Sequence, residues 1–421
     1  MSTDADIAIV GAGPAGALAA LGALEEWPGA RVLLLDRADF PRDKVCGDGV
    51  TVQAEQILAE VGSPGLLDGL NRVWRLRLGF PSGREAARTM RQPAIVVRRL
   101  EFDAILVREA QRRGATLQRH RFRSLQVLGD TVVIDGTVRV PVVIGADGAE
   151  SRVAAAIGRG GHGGRTAIAI RGYAPVRPEL ADAQVIAFRG VGRAADPRDT
   201  AAADAAVGRD LAQLAYAWSF PLGDGWANVG YGELLPVSQA PDAPRRATRT
   251  ELLEGLDLLL PGASAGGGAW QGHRLPLSGW RDRQPAGRVL LTGDALGLVN
   301  PLTGEGIHAA MRSGAIAGRI AAGWVRDGAA ATPQGPGERY RSELGRATGW
   351  HRRHMAVAAR LSTIPRALPA GIDEAARHQG VFDDLVEMGL ADGLITPRLV
   401  GAAARRTGER VGSRLRALAR R

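Results

Sequence analysis

The sequence predicts an α/β fold: a Rossmann-like dinucleotide-binding domain, an antiparallel-sheet substrate domain inserted into it, and a C-terminal helical region. One observation is a short apolar run, Ile7 to Val10, followed by GAGPAG, a helical small-residue stretch and a second apolar run, RVLLLD. Another is a set of alternating runs such as TAIAIRGYA and WANVGYGEL, and a third is a helical pattern after about residue 305. Strand, glycine turn, helix and strand open a doubly wound domain, whereas alternation is typical of antiparallel strands.

The composition is that of a large globular chain. Its 421 residues are 45% hydrophobic and include 57 glycines, enough to bury a large core in two interlocked domains. A single cysteine permits no internal disulfide, and a strand pattern begins without a basic leader or a cleavage site, which predicts a cytoplasmic protein. Since no apolar run reaches the roughly 18 residues of a membrane span, any membrane contact is expected to be peripheral.

The charge is strongly positive. A formal charge of +10 favours acidic or phosphorylated partners, an anionic membrane surface or nucleic acid. No zinc-finger spacing, RNP-type signature or helix-turn-helix signature accompanies it, so neither a metal site nor nucleic-acid binding is predicted.

The only lysine and the only cysteine, Lys44 and Cys46, lie two positions apart in PRDKVCGDG. Their proximity makes this stretch a candidate part of a site.

The GAGPAG turn carries a dinucleotide fingerprint. Gly11 permits the tight turn, Gly13 the close approach of backbone to a pyrophosphate, and Gly16 close packing of helix on strand. Asp36 ends the next strand, where a carboxylate can hold ribose hydroxyls, and Arg37 beside it is grouped with the cofactor-binding residues. Both NAD and FAD satisfy this fingerprint.

Two later stretches bear on the choice between NAD and FAD. Asp147 and Gly148 close a strand in GADGAESRVA, and Gly293 and Asp294 close another in LLTGDALGLVNPLTGEGIHAAM, before a Pro/Gly loop and a helix. In this order and spacing, the three motifs resemble those of FAD-dependent oxidoreductases built on the p-hydroxybenzoate hydroxylase plan. The sequence is therefore expected to bind FAD.

The resemblance assigns further cofactor-binding residues. It implies that Asp294 binds the ribityl chain, and that the backbone of the loop with Pro301, Gly304 and Gly306 meets the pyrophosphate and the isoalloxazine. Free N–H groups at the start of the following helix suit a negatively charged flavin. Arg99 in RRLEFD matches an arginine that reaches the cofactor, with an ordinary role at the start of a helix as the alternative.

Three more stretches resemble one branch, the geranylgeranyl reductase family. PRDKVCG resembles its PxxKxCG motif, YAWSFP its YxWxFP motif, and VFDDLVEMGLADGLITPRL its C-terminal helical segment. The resemblance covers essentially the whole chain and implies that the KxCG loop lies beside the flavin. Cys46 then shields or protonates near the reactive face, or simply packs, and Lys44 holds the loop or offsets flavin charge. Asp48 departs from the motif, because many relatives carry a small residue there.

The aromatic residues of YAWSFP predict a substrate wall. Tyr216, Trp218 and Phe220 alternate with period two, so on a strand all three face one side, which suits an apolar substrate, with core packing as the alternative. Two histidines are weaker candidates, His308 at the start of the helix after the flavin loop and His273 before LPL. A lone histidine is more often structural, and only His308 is grouped with the catalytic candidates.

The resemblance implies a reductase that transfers a hydride from reduced FAD to a carbon–carbon double bond of a prenyl or related apolar substrate, with a site acid or water protonating the other carbon. No second GxGxxG unit follows a strand, so NAD(P)H or an acidic, ferredoxin-like carrier is expected as the external electron donor. The alternatives are a monooxygenase or oxidase of an aromatic or polyketide-like molecule, a non-redox FAD-dependent cyclase and, more remotely, a membrane-binding module. There is no GWxWxIP segment of the kind found in flavin-dependent halogenases.

The motifs also predict domain boundaries. A last basic helix is expected to place Val400, Ala404, Val411, Leu415 and Leu418 on one stripe, for packing or membrane contact. The predicted units are the FAD-binding domain (1–75, 96–169 and 286–335), the substrate domain (76–95 and 170–285) and the C-terminal helical region (336–421).

Overall fold

The computed structural model describes residues 4–159, 166–189, 215–235, 247–278, 284–328, 335–362, 364 and 367–407. Val411, Leu415 and Leu418 of the expected basic helix lie outside these ranges. The strands are β1 (Ile7–Val10), β2 (Val32–Asp36), β3 (Gly49–Thr51), β4 (Arg72–Gly79), β5 (Glu85–Val96), β6 (Thr116–Arg119), β7 (Leu125–Leu128), β8 (Thr131–Ile134), β9 (Val138–Val140), β10 (Val142–Gly145), β11 (Thr166–Pro175), β12 (Ala183–Phe188), β13 (Ala215–Pro221), β14 (Trp226–Leu234), β15 (Gly268–Pro276) and β16 (Val289–Leu291). The helices are α1 (Pro14–Glu26), α2 (Gln53–Glu60), α3 (Arg99–Arg112), α4 (Arg152–Ala156), α5 (Arg249–Leu259), α6 (Ile307–Arg326), α7 (Gly337–Leu361), α8 (Ala367–Arg377), α9 (Gln379–Leu390) and α10 (Pro397–Thr407).

Five parallel strands form the first sheet, in the order β16-β10-β1-β2-β6. Strands β1, β10 and β16 are apolar runs and fully buried, as is typical of parallel strands covered on both faces. Because all five strands run the same way, their carboxyl ends meet at one edge of the sheet. Gly11 after β1, Asp36 at the end of β2, Asp147 after β10 and Asp294 after β16 therefore lie along that edge.

Helices α1 and α6 pack against each other through glycines. A Cβ on Gly314 would lie 2.1 Å from the carbonyl oxygen of Ala15, and one on Gly318 would lie 1.9 Å from that of Ala19. Only glycine lets the two helix backbones approach so closely. This contact places the beginning of α6, and the loop before it, next to the GAGPAG turn.

Eight strands form the second sheet, in the order β15-β11-β14-β13-β12-β4-β5-β3. Only the β12–β4 pair is parallel, and the other neighbours are antiparallel. Together with the parallel sheet and the C-terminal helices, this confirms the predicted fold class. The predicted boundaries at residues 75, 95 and 169 fall inside β4, β5 and β11, and the division into domains stays a prediction.

Helices cover parts of both faces of the second sheet. Leu252 of α5 packs with Val185 and Ala217 on one face. Helices α8 and α9 contact β5 and pack in one cluster with Leu78 and Ile186 on the opposite face, because neighbours along β12 alternate between the two faces. Helix α10 packs on α8 and α9. A small third sheet, β7-β8-β9, packs against the core of the parallel-sheet domain through Val132, Ile134 and Val140. Within the described ranges, no helix combines the length and apolar character required to cross a membrane.

Candidate functional site

A cavity of about 790 Å³ lies between the carboxyl edge of the parallel sheet and the second sheet. This volume is in the upper part of the range for small-molecule and cofactor pockets. Of the residues predicted from the sequence to form the site, Gly16, Gly293 and His308 are not in the cavity wall. The others line it: Gly11, Gly13, Asp36, Arg37, Lys44, Cys46, Arg99, Asp147, Tyr216, Trp218, Phe220, Asp294, Pro301, Gly304 and Gly306.

The GAGPAG turn has no room for side chains at two of its glycines. Gly11 has a φ of +99°, and a Cβ on it would lie 2.3 Å from the carbonyl oxygen of Ala146. A Cβ on Gly16 would lie 1.8 Å from the carbonyl oxygen of Gly11, which explains why Gly16 shapes the turn without lining the cavity. Helix α1 begins at Pro14 without a side-chain cap, so its first N–H groups are available to an anion.

Asp36 is fixed by backbone groups at the end of β2. Its carboxylate accepts hydrogen bonds from the N–H of Ala12 at 2.8 Å and of Ala38 at 2.9 Å. Arg42, which sequence reasoning missed, has its guanidinium 3.9 Å from Asp36 and 3.0 Å from Asp103. These contacts set the direction of the carboxylate and leave it in the cavity wall.

Arg99 is nearly fully buried at the start of α3. Its Nε and one terminal nitrogen donate to the two carboxylate oxygens of Asp103, at 2.6 and 2.8 Å. Four residues separate the pair, a helical spacing visible in RRLEFD. Arg99 therefore belongs to a rigid ion-pair cluster that borders the cavity.

Asp294 and Lys44 form an ion pair across the cavity wall. Lys44 Nζ lies 3.4 Å from Asp294 Oδ2, which joins the KxCG loop to the end of β16. Gly293 has a φ of +53°, and its N–H donates to Ser313 Oγ at 3.0 Å. Gly293 therefore positions Asp294 from behind the cavity wall.

The loop from Pro301 to Gly306 contains a carboxyl group that sequence reasoning missed. Glu305 accepts a hydrogen bond from the N–H of His308 at 2.7 Å and lines the cavity. Burial raises the pKa of Glu305 to about 7, so near neutral pH it exists in both protonation states. The sequence signal that could have identified Glu305 is its position between Gly304 and Gly306, in the loop that the family resemblance assigns to the flavin.

Two predicted residues have structural partners that the sequence did not suggest. Asp147 accepts hydrogen bonds from Ser151 Oγ at 2.5 Å and from the N–H of Arg152 at 2.7 Å, and so caps α4. His308 Nε2 lies 3.5 Å from Asp392, and burial lowers the pKa of its imidazole. The catalytic role of His308 stays a prediction, since its side chain is outside the cavity wall.

Asp48 holds the KxCG loop from behind and does not line the cavity. It is fully buried at a φ of +61°. Its carboxylate accepts hydrogen bonds from the Tyr173 hydroxyl and the Asn228 amide, both at 2.7 Å, and from the N–H of Arg99 at 3.2 Å. The acidic side chain at this position thus fixes the loop and leaves the pocket open.

The Asn228 amide ties Cys46 into the same network. It donates to the carbonyl oxygen of Cys46 at 2.8 Å. Burial raises the pKa of the Cys46 thiol, although the Arg99 guanidinium opposes this effect. Cys46 is therefore a neutral thiol at neutral pH, able to shield or donate a proton but not activated as a nucleophile.

We expect Asp48→Ala to lower the free energy of unfolding by about 2 to 4 kcal/mol, since three buried donors lose their acceptor and alanine is strained at this φ. Denaturant unfolding of the full chain measures the change. Asp48→Asn, which keeps an acceptor and tolerates a positive φ, should lose less. Asp182→Ala, which breaks an exposed pair with Arg75, is the control and should cost less than about 1 kcal/mol. Equal losses for Asp48→Ala and the control would contradict the network.

An aromatic wall on β13 lines part of the cavity. Tyr216, Trp218 and Phe220 all line the cavity from β13, whereas Ala217 packs on the other face. The Trp218 ring covers Gly230, where an added Cβ would lie 2.2 Å from it. The predicted shared face is thus present, while the substrate-binding role of the three residues stays a prediction.

Comparison with known proteins identifies the family. Residues 4–186 match the FAD binding domain family. A menaquinone reductase of Mycolicibacterium smegmatis is 32% identical over 399 residues, covering 87% of each chain. A digeranylgeranylglycerophospholipid reductase of Methanopyrus kandleri is 33% identical over 336 residues, covering 75% of this chain and 80% of the relative. The chain belongs to the geranylgeranyl reductase family of FAD-dependent oxidoreductases.

Solved structures of other proteins share the fold of this chain. A geranylgeranyl bacteriochlorophyll reductase-like protein of Thermoplasma acidophilum superposes with a TM-score of 0.74 at 20% identity, covering 98% of this chain and 99% of that one. A halogenase in complex with phloroglucinol and FAD gives a TM-score of 0.64 at 16% identity, covering 99% and 95%. The shared fold therefore spans different reaction classes.

The residues of this oxidoreductase fit FAD. Glycine at position 11 lets the turn pass directly against the Ala146 carbonyl, where a Cβ would collide, and the start of α1 offers N–H groups to a pyrophosphate. Asp36 lies within the same cavity wall, as do Asp294 and the backbone of Pro301 to Gly306. The N–H groups suit the pyrophosphate, the two carboxylates suit the hydroxyl groups of the ribose and the ribityl chain, and the loop backbone suits the isoalloxazine.

Proposed function

We propose that this protein reduces carbon–carbon double bonds in the apolar chain of a prenyl lipid. The observation that carries the proposal is that the aromatic wall of β13 and the dinucleotide-binding edge of the parallel sheet line one cavity. An apolar chain against Trp218 and Phe220 would thus lie in the compartment that holds the FAD. Relatives named for prenyl lipid and menaquinone reduction support this substrate class.

The chain's own residues orient the substrate and handle the proton. When bound, FAD supplies the hydride that reduces one carbon of the double bond. Trp218 and Phe220 exclude water and hold the apolar chain in place, which reduces the entropic part of the barrier. Glu305 borders the same cavity and in its protonated form can donate a proton to the second carbon. Cys46, a neutral thiol, protects this region from solvent.

The proposed electron donor is external to this chain, since no second GxGxxG unit follows a strand in the sequence. We propose NAD(P)H or an acidic, ferredoxin-like carrier, acting in the cytoplasm. The net charge of +10 supports either donor, since both a phosphorylated dinucleotide and an acidic protein are attracted to a basic surface. Salt should therefore slow reduction of the flavin by the physiological donor.

A single turnover tests the function. The FAD-loaded protein is reduced without oxygen and mixed with menaquinones, prenyl diphosphates or aromatic polyketides, while flavin absorbance and product mass are followed. Anaerobic reoxidation with a gain of two hydrogens in the prenyl chain is expected. If flavin stays reduced until oxygen enters, and the product gains oxygen or loses hydrogen, the enzyme is a monooxygenase or oxidase. A rearranged product formed in a parallel reaction in which the FAD is left oxidised would indicate a cyclase.

We expect Glu305→Gln to slow the reduction step by at least about tenfold, since a positioned general acid contributes about 100-fold or more. Glutamine keeps an acceptor for the N–H of His308, so the helix start is preserved while the proton is lost. With the pKa of Glu305 near 7, the wild-type rate should fall as pH rises above 7, because the acid form disappears.

The pH profile separates proton donation from a structural role. Glu305→Gln should lose the fall above pH 7, whereas Glu233→Gln, which alters a second carboxyl of the cavity wall, should keep it. Stopped-flow rates between pH 5.5 and 9 measure both profiles. A Glu305→Gln enzyme that keeps the wild-type profile would show that another group donates the proton.

A further inference from the structure

Arg171 is a buried cation with unused hydrogen-bonding capacity. It lies on β11, is 1% exposed and lines the cavity. Its Nη2 donates to both carboxylate oxygens of Asp43 at 2.6 Å, whereas its Nε and Nη1 are buried without a hydrogen-bond partner. An unpaired buried donor of a charged group is costly. A ligand acceptor would remove that cost.

The neighbouring strand adds an unpaired ring nitrogen. His273 on β15 is the cross-strand partner of Ala169, which lies two positions before Arg171 on β11, and Arg171 and His273 both line the cavity. The Nε2 of His273 is also buried without a partner. Two such groups on adjacent strands mark a place where the cavity offers hydrogen bonds that the described residues do not use.

The surroundings of Arg171 favour an acceptor oxygen. Asp43 is the carboxylate paired with its guanidinium, and the Tyr173 ring lies 4.8 Å from the guanidinium carbon. Lys44 also lines this cavity, and its charge helps to lower the pKa of His273, after the larger effect of burial. The unpartnered N–H groups of the guanidinium therefore suit a carbonyl or an anionic oxygen rather than a cation.

We propose that Arg171 binds an acceptor oxygen on the head group of the substrate and so selects prenyl chains that carry such a head over plain hydrocarbons. This inference rests on the proposed function, because it deepens the substrate class of the same cavity. The apolar wall would receive the chain, and the unused guanidinium nitrogens would receive the head. Quinone carbonyls and phosphates share this chemistry, since both accept hydrogen bonds from arginine.

Binding to the FAD-loaded full-length protein tests the proposal without turnover. Calorimetric titrations use three probes: a menaquinone with a short prenyl tail, geranylgeranyl diphosphate, and a hydrocarbon with the same number of isoprene units. Arg171→Met keeps the aliphatic stem and removes the donors. We expect it to weaken binding of at least one head-bearing probe by about 10- to 100-fold and to leave the hydrocarbon within about twofold. Arg274→Met, an exposed position on β15, is the matched control and should change neither.

Two further measurements decide the outcome. Arg171→Lys keeps the charge but loses the planar fork, so it should recover only part of the affinity. FAD affinity, measured by titrating apoprotein, should stay unchanged in Arg171→Met. Equal affinity of wild type for head-bearing and hydrocarbon probes would overturn the proposal. So would a loss of FAD affinity in Arg171→Met with unaltered probe selectivity, since Arg171 would then serve the cofactor.

Competition identifies the source of the oxygen. Displacement of the tighter probe by inorganic pyrophosphate would assign a phosphate head, and displacement by menadione would assign a quinone head. The measurements also separate failure of the proposed function from failure of this inference. If probes bind with selectivity that depends on Arg171 but gain no hydrogen in a single turnover, the head-group site is supported and the reductase function is rejected. If the probes are reduced and Arg171→Met keeps the wild-type selectivity, the reductase function is supported and the head-group site is rejected.

Discussion

Replacing Gly16 with alanine is expected to lower the free energy of unfolding by at least about 3 kcal/mol and to yield protein without bound FAD. The added Cβ would lie 1.8 Å from the carbonyl oxygen of Gly11 and 3.3 Å from the Ile9 side chain. Because the first contact is with backbone, no rotamer change relieves it. Helix α1 must move away from β1, which opens the turn that is to receive the pyrophosphate.

Thermal and denaturant unfolding measure the stability, and the flavin absorbance of purified protein measures the FAD content. Gly345→Ala is the control, since Gly345 lies in α7 and an added Cβ meets no atom within 4 Å. That substitution should stabilise the helix by about 0.5 to 1 kcal/mol and leave FAD unchanged. A Gly16→Ala protein that is yellow and as stable as wild type would refute the close packing of α1 on the turn.

The parts of the fold that the sequence predicted depend on local patterns. The Gly11 turn, Asp36 and Asp294 each follow an apolar run, and parallel strands bring their carboxyl ends to one edge. The shared face of Tyr216 and Trp218 follows from the two-residue period of a strand. Such signals span a few residues, so they can be read without knowledge of the tertiary contacts.

The polar network around the KxCG loop was not predictable in the same way. Asp48 meets Tyr173 and Asn228, which are 125 and 180 positions away in sequence, and Arg171 meets Asp43 across 128 positions. No periodicity links these residues. Their pairing depends on how the second sheet lies over the loop, and only the structure specifies that arrangement.

Residue type alone also does not separate catalytic from structural roles. His308 and Glu305 lie three positions apart at the start of α6, yet Glu305 borders the cavity and His308 does not. Sequence reasoning chose the histidine for its position at the start of the helix after the flavin loop. Burial raises the pKa of the Glu305 carboxyl group to about 7, so a group that titrates near neutral pH borders the cavity two positions before that helix.

The second large effect is expected at Asp294. Asp294→Ala should weaken FAD binding by about 10- to 100-fold, because the carboxylate lines the cavity where the family resemblance places the ribityl chain, and hydrogen bonds to a charged acceptor contribute about 1.5 to 3 kcal/mol. The substitution also leaves Lys44 without its partner at 3.4 Å. Titration of apoprotein with FAD, followed by flavin fluorescence, measures the affinity. Asp294→Asn, which keeps one acceptor oxygen, should lose less.

Lys44→Met separates direct binding of FAD by the Asp294 carboxylate from the effect of the Lys44–Asp294 ion pair. Removing Lys44 breaks the ion pair but leaves the carboxylate oxygens in the cavity wall. If Asp294 binds the cofactor directly, FAD affinity should therefore change by less than about threefold, well below the effect of Asp294→Ala. Equal losses in the two variants would assign the effect to the Lys44–Asp294 pair, and the carboxylate would then position the KxCG loop. An Asp294→Ala protein with wild-type FAD affinity would contradict both roles and remove Asp294 from the cofactor site.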